Sequence, residues 1–227
     1  MLTPRELAGM IDHTLLKPFA TRAEVRGLCS EATHYGFANV CVNPVLVADA
    51  VRFLEGTLVG VCSVVGFPFG THSSKTKAHE AGEILKSGAS EIDMVIWIGP
   101  LKEGDDQAVR DDIRAVVQAA EGRPVKVILE TCYLTEREKV RGCLLAMEAG
   151  AAFVKTSTGF GPAGATIEDV ALMRRTVGEN LGVKAAGGIR TVADALRMIR
   201  AGADRLGTSG SVAIMEALGE KSKRGMR

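Results

Sequence analysis

No two of the five cysteines (Cys29, Cys41, Cys62, Cys132 and Cys143) form a C-x-x-C pair, and none has metal-ligand spacing with a histidine. That leaves neither a dithiol motif nor a structural zinc site, and it suits a protein kept in a reducing cytoplasm. The four histidines add little: His72 and His79 are seven apart, but no carboxylate or thiol completes a site around them, so no metal is expected. A hydrophobic signal region is missing from Met1-Leu2-Thr3-Pro4-Arg5-Glu6-Leu7, and no apolar run approaches membrane-spanning length. Excess charge is also missing. The 28 Lys and Arg against 27 Asp and Glu leave a net charge of +1, which gives no electrostatic case for nucleic acid or an anionic membrane as partner. A soluble cytoplasmic protein is the expectation.

What the chain has is alternation. It is 46% hydrophobic over 227 residues, enough for a large core. Strand-like runs fall at 11–15, 39–42, 58–65, 91–97, 125–130, 152–156, 183–186 and 204–208, most of them continuously apolar, as in parallel strands covered by helices. Helix starts lie between them. Thr3-x-x-Glu6, Thr21-x-x-Glu24 and Thr135-x-x-Glu138 match the capping box, and Thr166-x-x-Asp169 and Thr191-x-x-Asp194 are its aspartate variant. Four helices are expected to end in glycine followed by a small residue or phenylalanine, at Gly36, Gly88, Gly150 and Gly202.

Eight strand–helix units of roughly 25 residues predict an α/β fold, a closed (β/α)8 TIM barrel with an extra N-terminal helix, over an open doubly wound sheet. The placement of Asp93, Lys155, Lys184 and Ser209, in or just beyond strand-like runs, favours the barrel, where strand ends converge on one mouth. One domain is expected over residues 1–219, followed by a basic, flexible tail over residues 220–227.

The chemistry is expected at two lysines in apolar strands, Lys155 in Phe153-Val154-Lys155-Thr156 and Lys184 in Val183-Lys184-Ala185-Ala186. An ammonium leaves water at a cost unless it is paired or loses its proton, and a neutral lysine is a nucleophile for carbonyl carbon. Two ammonium groups about 4 Å apart repel by roughly 4 kcal/mol at an effective dielectric of about 20, which favours the free amine on one of them. Asp93, inside Ile92-Asp93-Met94-Val95, must likewise be paired and can shuttle protons. Small-residue turns follow three late strands: Thr156 to Gly161, Gly187-Gly188 and Gly207 to Ser211. Such turns expose backbone N–H groups to an anion, as in the phosphate sites of barrel enzymes. Gly159-Phe160-Gly161-Pro162-Ala163-Gly164 also spells G-x-G-x-x-G, but the strand before it carries Lys155, and Pro162 sits in the turn, so a dinucleotide site is not expected. His13, beside Asp12, is a candidate to line the mouth or to be structural.

The segments IDHTLLKP (11–18), NVCVNP (39–44), VVGFPFG (64–70), EIDMV (91–95), KVILET (126–131), FVKTSTGF (153–160), VKAAGGIRT (183–191) and RLGTSG (205–210) together resemble the deoxyribose-phosphate aldolase family, in order and along essentially the whole chain. The resemblance implies a (β/α)8 barrel and a class I aldolase that needs no metal or other cofactor. It implies cleavage of 2-deoxy-D-ribose 5-phosphate to D-glyceraldehyde 3-phosphate and acetaldehyde, with small-molecule sugar phosphate and aldehyde as partners, in a homo-oligomer (dimer or tetramer). It places the Schiff-base lysine at Lys155, the second lysine at Lys184 and the proton-transferring aspartate at Asp93. The phosphate turns then fall on Gly159, Gly187, Gly188, Ser209 and Gly210. Two departures stand out: the tail carries no tyrosine, where some members use one, and Ala185 stands where some have proline. Another imine-forming barrel lyase, or a non-catalytic sugar-phosphate-binding barrel, is the alternative.

Overall fold

The structure is a computed structural model that describes residues 2–224. In chain order the elements are α1 (Pro4–Ala8), β1 (Ile11–Leu15), α2 (Arg22–Tyr35), β2 (Asn39–Val42), α3 (Val47–Phe53), β3 (Gly60–Val65), α4 (Ser74–Lys86) and β4 (Glu91–Val95). They continue with α5 (Ile98–Glu103), α6 (Asp106–Ala119), β5 (Val125–Ile128), α7 (Glu136–Glu148), β6 (Phe153–Lys155), α8 (Ile167–Val177), β7 (Gly182–Ala186), α9 (Val192–Arg200), β8 (Arg205–Thr208) and α10 (Ser211–Arg224). Short 3-10 turns follow β2 and β5. All the strands are parallel, and β8 returns to β1 to close the barrel. The expected (β/α)8 barrel and its N-terminal helix are both present.

Local chemistry explains the boundaries. Thr3, Thr21, Thr135 and Thr191 each form the full capping box. At Thr166 only half of it forms: Thr166 accepts from the Asp169 amide, while the Asp169 carboxylate turns to Lys139 instead. The four junction glycines have φ between 71° and 112°, the left-handed backbone that ends a helix cheaply only without a Cβ. Helix α10 runs from Ser211 to Arg224 and so continues past residue 219, where the sequence suggests a tail; residues 225–227 lie outside the described residues.

Strand residues alternate between two environments. Ile11, Val40, Ile92, Met94, Val127, Val154, Val183, Ala185 and Leu206 join the main apolar core. Their neighbours Asp12, Asn39, Cys41, Cys62, Asp93, Lys126, Lys155 and Lys184 are also buried, in the second environment. A (β/α)8 barrel is ordinarily filled by branched aliphatic side chains. Here a small apolar cluster of Leu16, Cys41, Cys62, Val64 and Phe67 lies beside a network of buried ion pairs.

Candidate active site

The ionic interior follows from register. Lys155 pairs with Lys184 across β6 and β7, and Asp93 pairs with Lys126 across β4 and β5. Closure sets Asp12 of β1 beside Gly207 of β8, within reach of Arg205. Lys155 Nζ and Lys184 Nζ each donate to Asp93 Oδ2 at 2.7 Å. Lys126 Nζ lies 3.1 Å from Asp93 Oδ1 and 2.5 Å from Glu91 Oε2. Lys184 also donates to Asp12 Oδ2, whose other oxygen accepts from Arg205 at 2.7 Å and from Asn39 at 2.8 Å.

Burial of an ion costs several kcal/mol unless partners replace water. Each charge here has such partners, and their signs determine the protonation states. Burial pushes the Asp93 carboxyl up, but Lys126, Lys155 and Lys184 outweigh it and hold Asp93 well below the usual carboxylate range. Asp12 is held low in the same way, against burial, by Lys184, Lys126 and Arg205. Burial pushes Lys184 down, but Asp12 and Asp93 outweigh it and hold Lys184 well above an ordinary lysine. Lys126 is held high against burial, chiefly by Asp93. Asp93 stands between the two lysines, so it offsets the repulsion expected between them and holds Lys184 as an ammonium.

A cavity of about 760 Å³ opens above this network. Among the basic side chains of the network only Lys155 lines it, with Thr158, Gly159, Gly187, Gly188 and Ser209 around the same space. Lys184 and Asp93 are fully buried beneath. Gly210 lies outside the lining, and its amide already donates to Thr208 Oγ1 at 2.9 Å. His13 lines the cavity too, its ring held between Ser211 Oγ at 3.0 Å and Glu31 Oε2 at 2.7 Å. Within the G-x-G-x-x-G stretch Gly164 serves packing: a Cβ on it would come within 2.3 Å of the Gly187 carbonyl, so only glycine lets this loop lie against the next one.

Donor atoms of Cys41, Cys62 and Asp93 lie within 4.8 Å of one another, as do those of Asp12, Cys62 and Glu91. Neither trio suits a metal. Lys126 Nζ already sits 3.1 Å from Asp93 and 3.6 Å from Cys62 Sγ, and burial pushes the Cys62 thiol well up, away from the thiolate a metal requires.

Four members of the network escaped the reading from sequence. Lys126 in Val125-Lys126-Val127-Ile128 and Asp12 in Ile11-Asp12-His13 carry the same signal as Lys155, an ionisable residue inside a strand. Glu91 and Arg205 open their strands and resemble ordinary solvated ends until closure brings them within 3.5 Å of each other.

Comparison with known proteins agrees along nearly the whole chain. The family model described as DeoC/LacD family aldolase matches residues 7–217. A deoxyribose-phosphate aldolase of Geobacillus sp. (strain WCH70) is 59% identical over 211 residues, covering 92% of this chain and 95% of that one. One of Carboxydothermus hydrogenoformans is 55% identical over 222 residues, covering 96% and 97%. Among solved structures, the deoxyribose phosphate aldolase of Aeropyrum pernix, described as a unique tetramer, superposes with a TM-score of 0.88 at 38% identity, covering 95% of this chain and 92% of that one. In sequence and in architecture, the chain belongs to the DeoC/LacD family of aldolases.

Proposed function

We propose that this chain reversibly cleaves 2-deoxy-D-ribose 5-phosphate to D-glyceraldehyde 3-phosphate and acetaldehyde through an imine on Lys155. The single observation that carries the assignment within the network is access: Lys155 faces the cavity, whereas Lys126, Lys184 and Arg205 do not line it. The network has four basic side chains (Lys126, Lys155, Lys184 and Arg205) and three carboxylates (Asp12, Glu91 and Asp93), so it balances when one base is neutral. Lys184, held by two carboxylates, remains the cation.

The Lys155 amine attacks C1 of the open-chain sugar phosphate, and the carbinolamine takes up one proton from the Asp93–Lys184 pair and loses water to give a protonated imine. Two carbons leave as acetaldehyde and three as glyceraldehyde 3-phosphate, so the bond that breaks is C2–C3. The C3 hydroxyl gives up its proton as that bond breaks, and the electron pair moves into an enamine. Asp93, held ionised, is the acceptor form, and Lys184, held as ammonium, is the donor form. Both lysines touch Asp93 Oδ2, so this one oxygen can pass a proton between them before C2 of the enamine is protonated. Water then hydrolyses the protonated imine, which restores the amine and returns the proton to the Asp93–Lys184 pair. Gly159, Gly187, Gly188 and Ser209 hold the phosphate with backbone N–H and hydroxyl donors, which fixes C1 relative to Lys155.

No helix among the described residues is long and apolar enough to cross a membrane. We place the working enzyme in the cytoplasm as a homo-oligomer, a dimer or tetramer, and light scattering of the purified chain tests the assembly. The reaction itself is tested by acetaldehyde release from 2-deoxyribose 5-phosphate after exhaustive EDTA treatment. Release at full rate is expected. Loss that a divalent metal restores, or cleavage of a different sugar phosphate alone, would overturn the reading.

A further inference from the structure

Glu130 carries two costs with no visible local return. It is one of two non-glycine residues with positive φ, at 54°, among the described residues. That backbone crowds the Cβ of any L-residue and persists where the surroundings enforce it. It is also a carboxylate only 3% exposed, and no basic side chain pairs with it among the described residues. Such a group normally seeks a cation.

Its partners lie instead in the turn after Lys155. The Thr158 N–H donates to Oε1 at 3.2 Å and to Oε2 at 3.3 Å, and the Thr158 hydroxyl donates to Oε2. The Cys132 thiol makes a long contact of 3.8 Å to Oε1. Thr158 Oγ1 in turn accepts from the Phe160 N–H at 3.0 Å. The amides on both sides of Gly159 are thereby committed to this clamp, while the Gly159 N–H has no acceptor among the described residues. Glu130 itself does not line the cavity; Thr158, Gly159 and Phe160 do. Gly161 completes the fit, since a Cβ there would lie 3.2 Å from the Glu130 carboxyl carbon.

We infer that Glu130 is a positioning residue for phosphate: its carboxylate clamps Thr158 so that the turn presents the Gly159 amide to the anion. The inference rests on the aldolase reading for its substrate, but not for its geometry. It is specific to the phosphate end, so it separates sugars that carry the group from those that do not.

Glu130→Gly removes the carboxylate and suits the left-handed backbone, so the fold should tolerate it. In steady-state kinetics, preference for 2-deoxyribose 5-phosphate over 2-deoxyribose should fall by about ten-fold or more, carried by KM rather than kcat. Affinity for inorganic phosphate, measured by calorimetry, should fall by a similar factor. Glu130→Gln, which keeps an acceptor for the Thr158 amide, should recover a large part of both. A preference and a phosphate affinity within about two-fold of wild type in both variants would overturn the inference, as would an equal loss of kcat on both sugars. The calorimetric arm needs no turnover. If wild type cleaved neither sugar but its phosphate affinity dropped in Glu130→Gly, the aldolase reading would fall and the clamp would stand.

Discussion

Lys155 and Lys184 are register partners on adjacent strands, and their side-chain nitrogens converge on one carboxylate oxygen, Oδ2 of Asp93. They differ in what else they touch. Lys184 has a second carboxylate, Asp12, and no opening to the cavity, whereas Lys155 has the cavity. This asymmetry separates a cation that stays from an amine that reacts.

Lys184→Leu tests that division. Turnover should fall by about 100-fold or more, because proton transfer by a positioned group contributes on that order. The same change leaves Asp12 and Asp93 short of a buried cation, so unfolding free energy should drop by about 3–5 kcal/mol. Steady-state kinetics and urea denaturation measure the two effects. Near-normal turnover in a destabilised protein would leave Lys184 a structural role only.

The network also sets the response to pH. Asp12 and Asp93 are held low, so their stabilisation is present above the unfolded carboxylate value of about 3.9 and is lost as pH falls through their folded values. Lys184 and Lys126 are held high, so theirs is present below about 10.4 and is lost as pH rises through their folded values. Their contribution should be flat between these limits and fall on both sides. Urea midpoints of wild type and Asp12→Asn across the range check this: the difference should be constant near neutrality and shrink in acid. A difference that grew as pH fell would contradict the assigned directions.

These two predictions depend on residues of unequal legibility. Asp93, Lys155 and Lys184 could be found because a charge within an apolar run has few bland explanations. The strands were visible for the same reason, since a strand covered on both sides is apolar throughout. Strand ends were less so: Ile96 and Leu129 stay fully buried after the chain has left the ladder, so burial extends the apolar runs beyond β4 and β5. Which charges meet was not legible at all. Arg205 and Asp12 are 193 residues apart, and only closure of β8 on β1 makes them partners. The clamp on Thr158 is equally hidden, because Glu130 depends on a φ value that no composition signals.

Outside the barrel, Lys77 and Asp112 form a fully buried pair at 2.6 Å between α4 and α6, and Lys77 also donates to the Val95 carbonyl at 3.0 Å. Burial pushes the Lys77 ammonium down from its ordinary value despite Asp112. Asp112→Ala should cost about 3–5 kcal/mol by leaving that ammonium unpaired. The double change Lys77→Met with Asp112→Leu should recover at least half of the loss, because a buried pair is often replaceable by apolar side chains. Denaturant unfolding decides, and a double variant weaker than Asp112→Ala would show a pair with net value.

The most direct test of the central claim is borohydride reduction of the protein in the presence of acetaldehyde, followed by peptide mapping. The account predicts one reduced two-carbon adduct per chain, on Lys155, and its loss in Lys155→Arg. An adduct mapped to Lys184 or to a surface lysine, or no adduct in a chain that still cleaves the sugar phosphate, would contradict it.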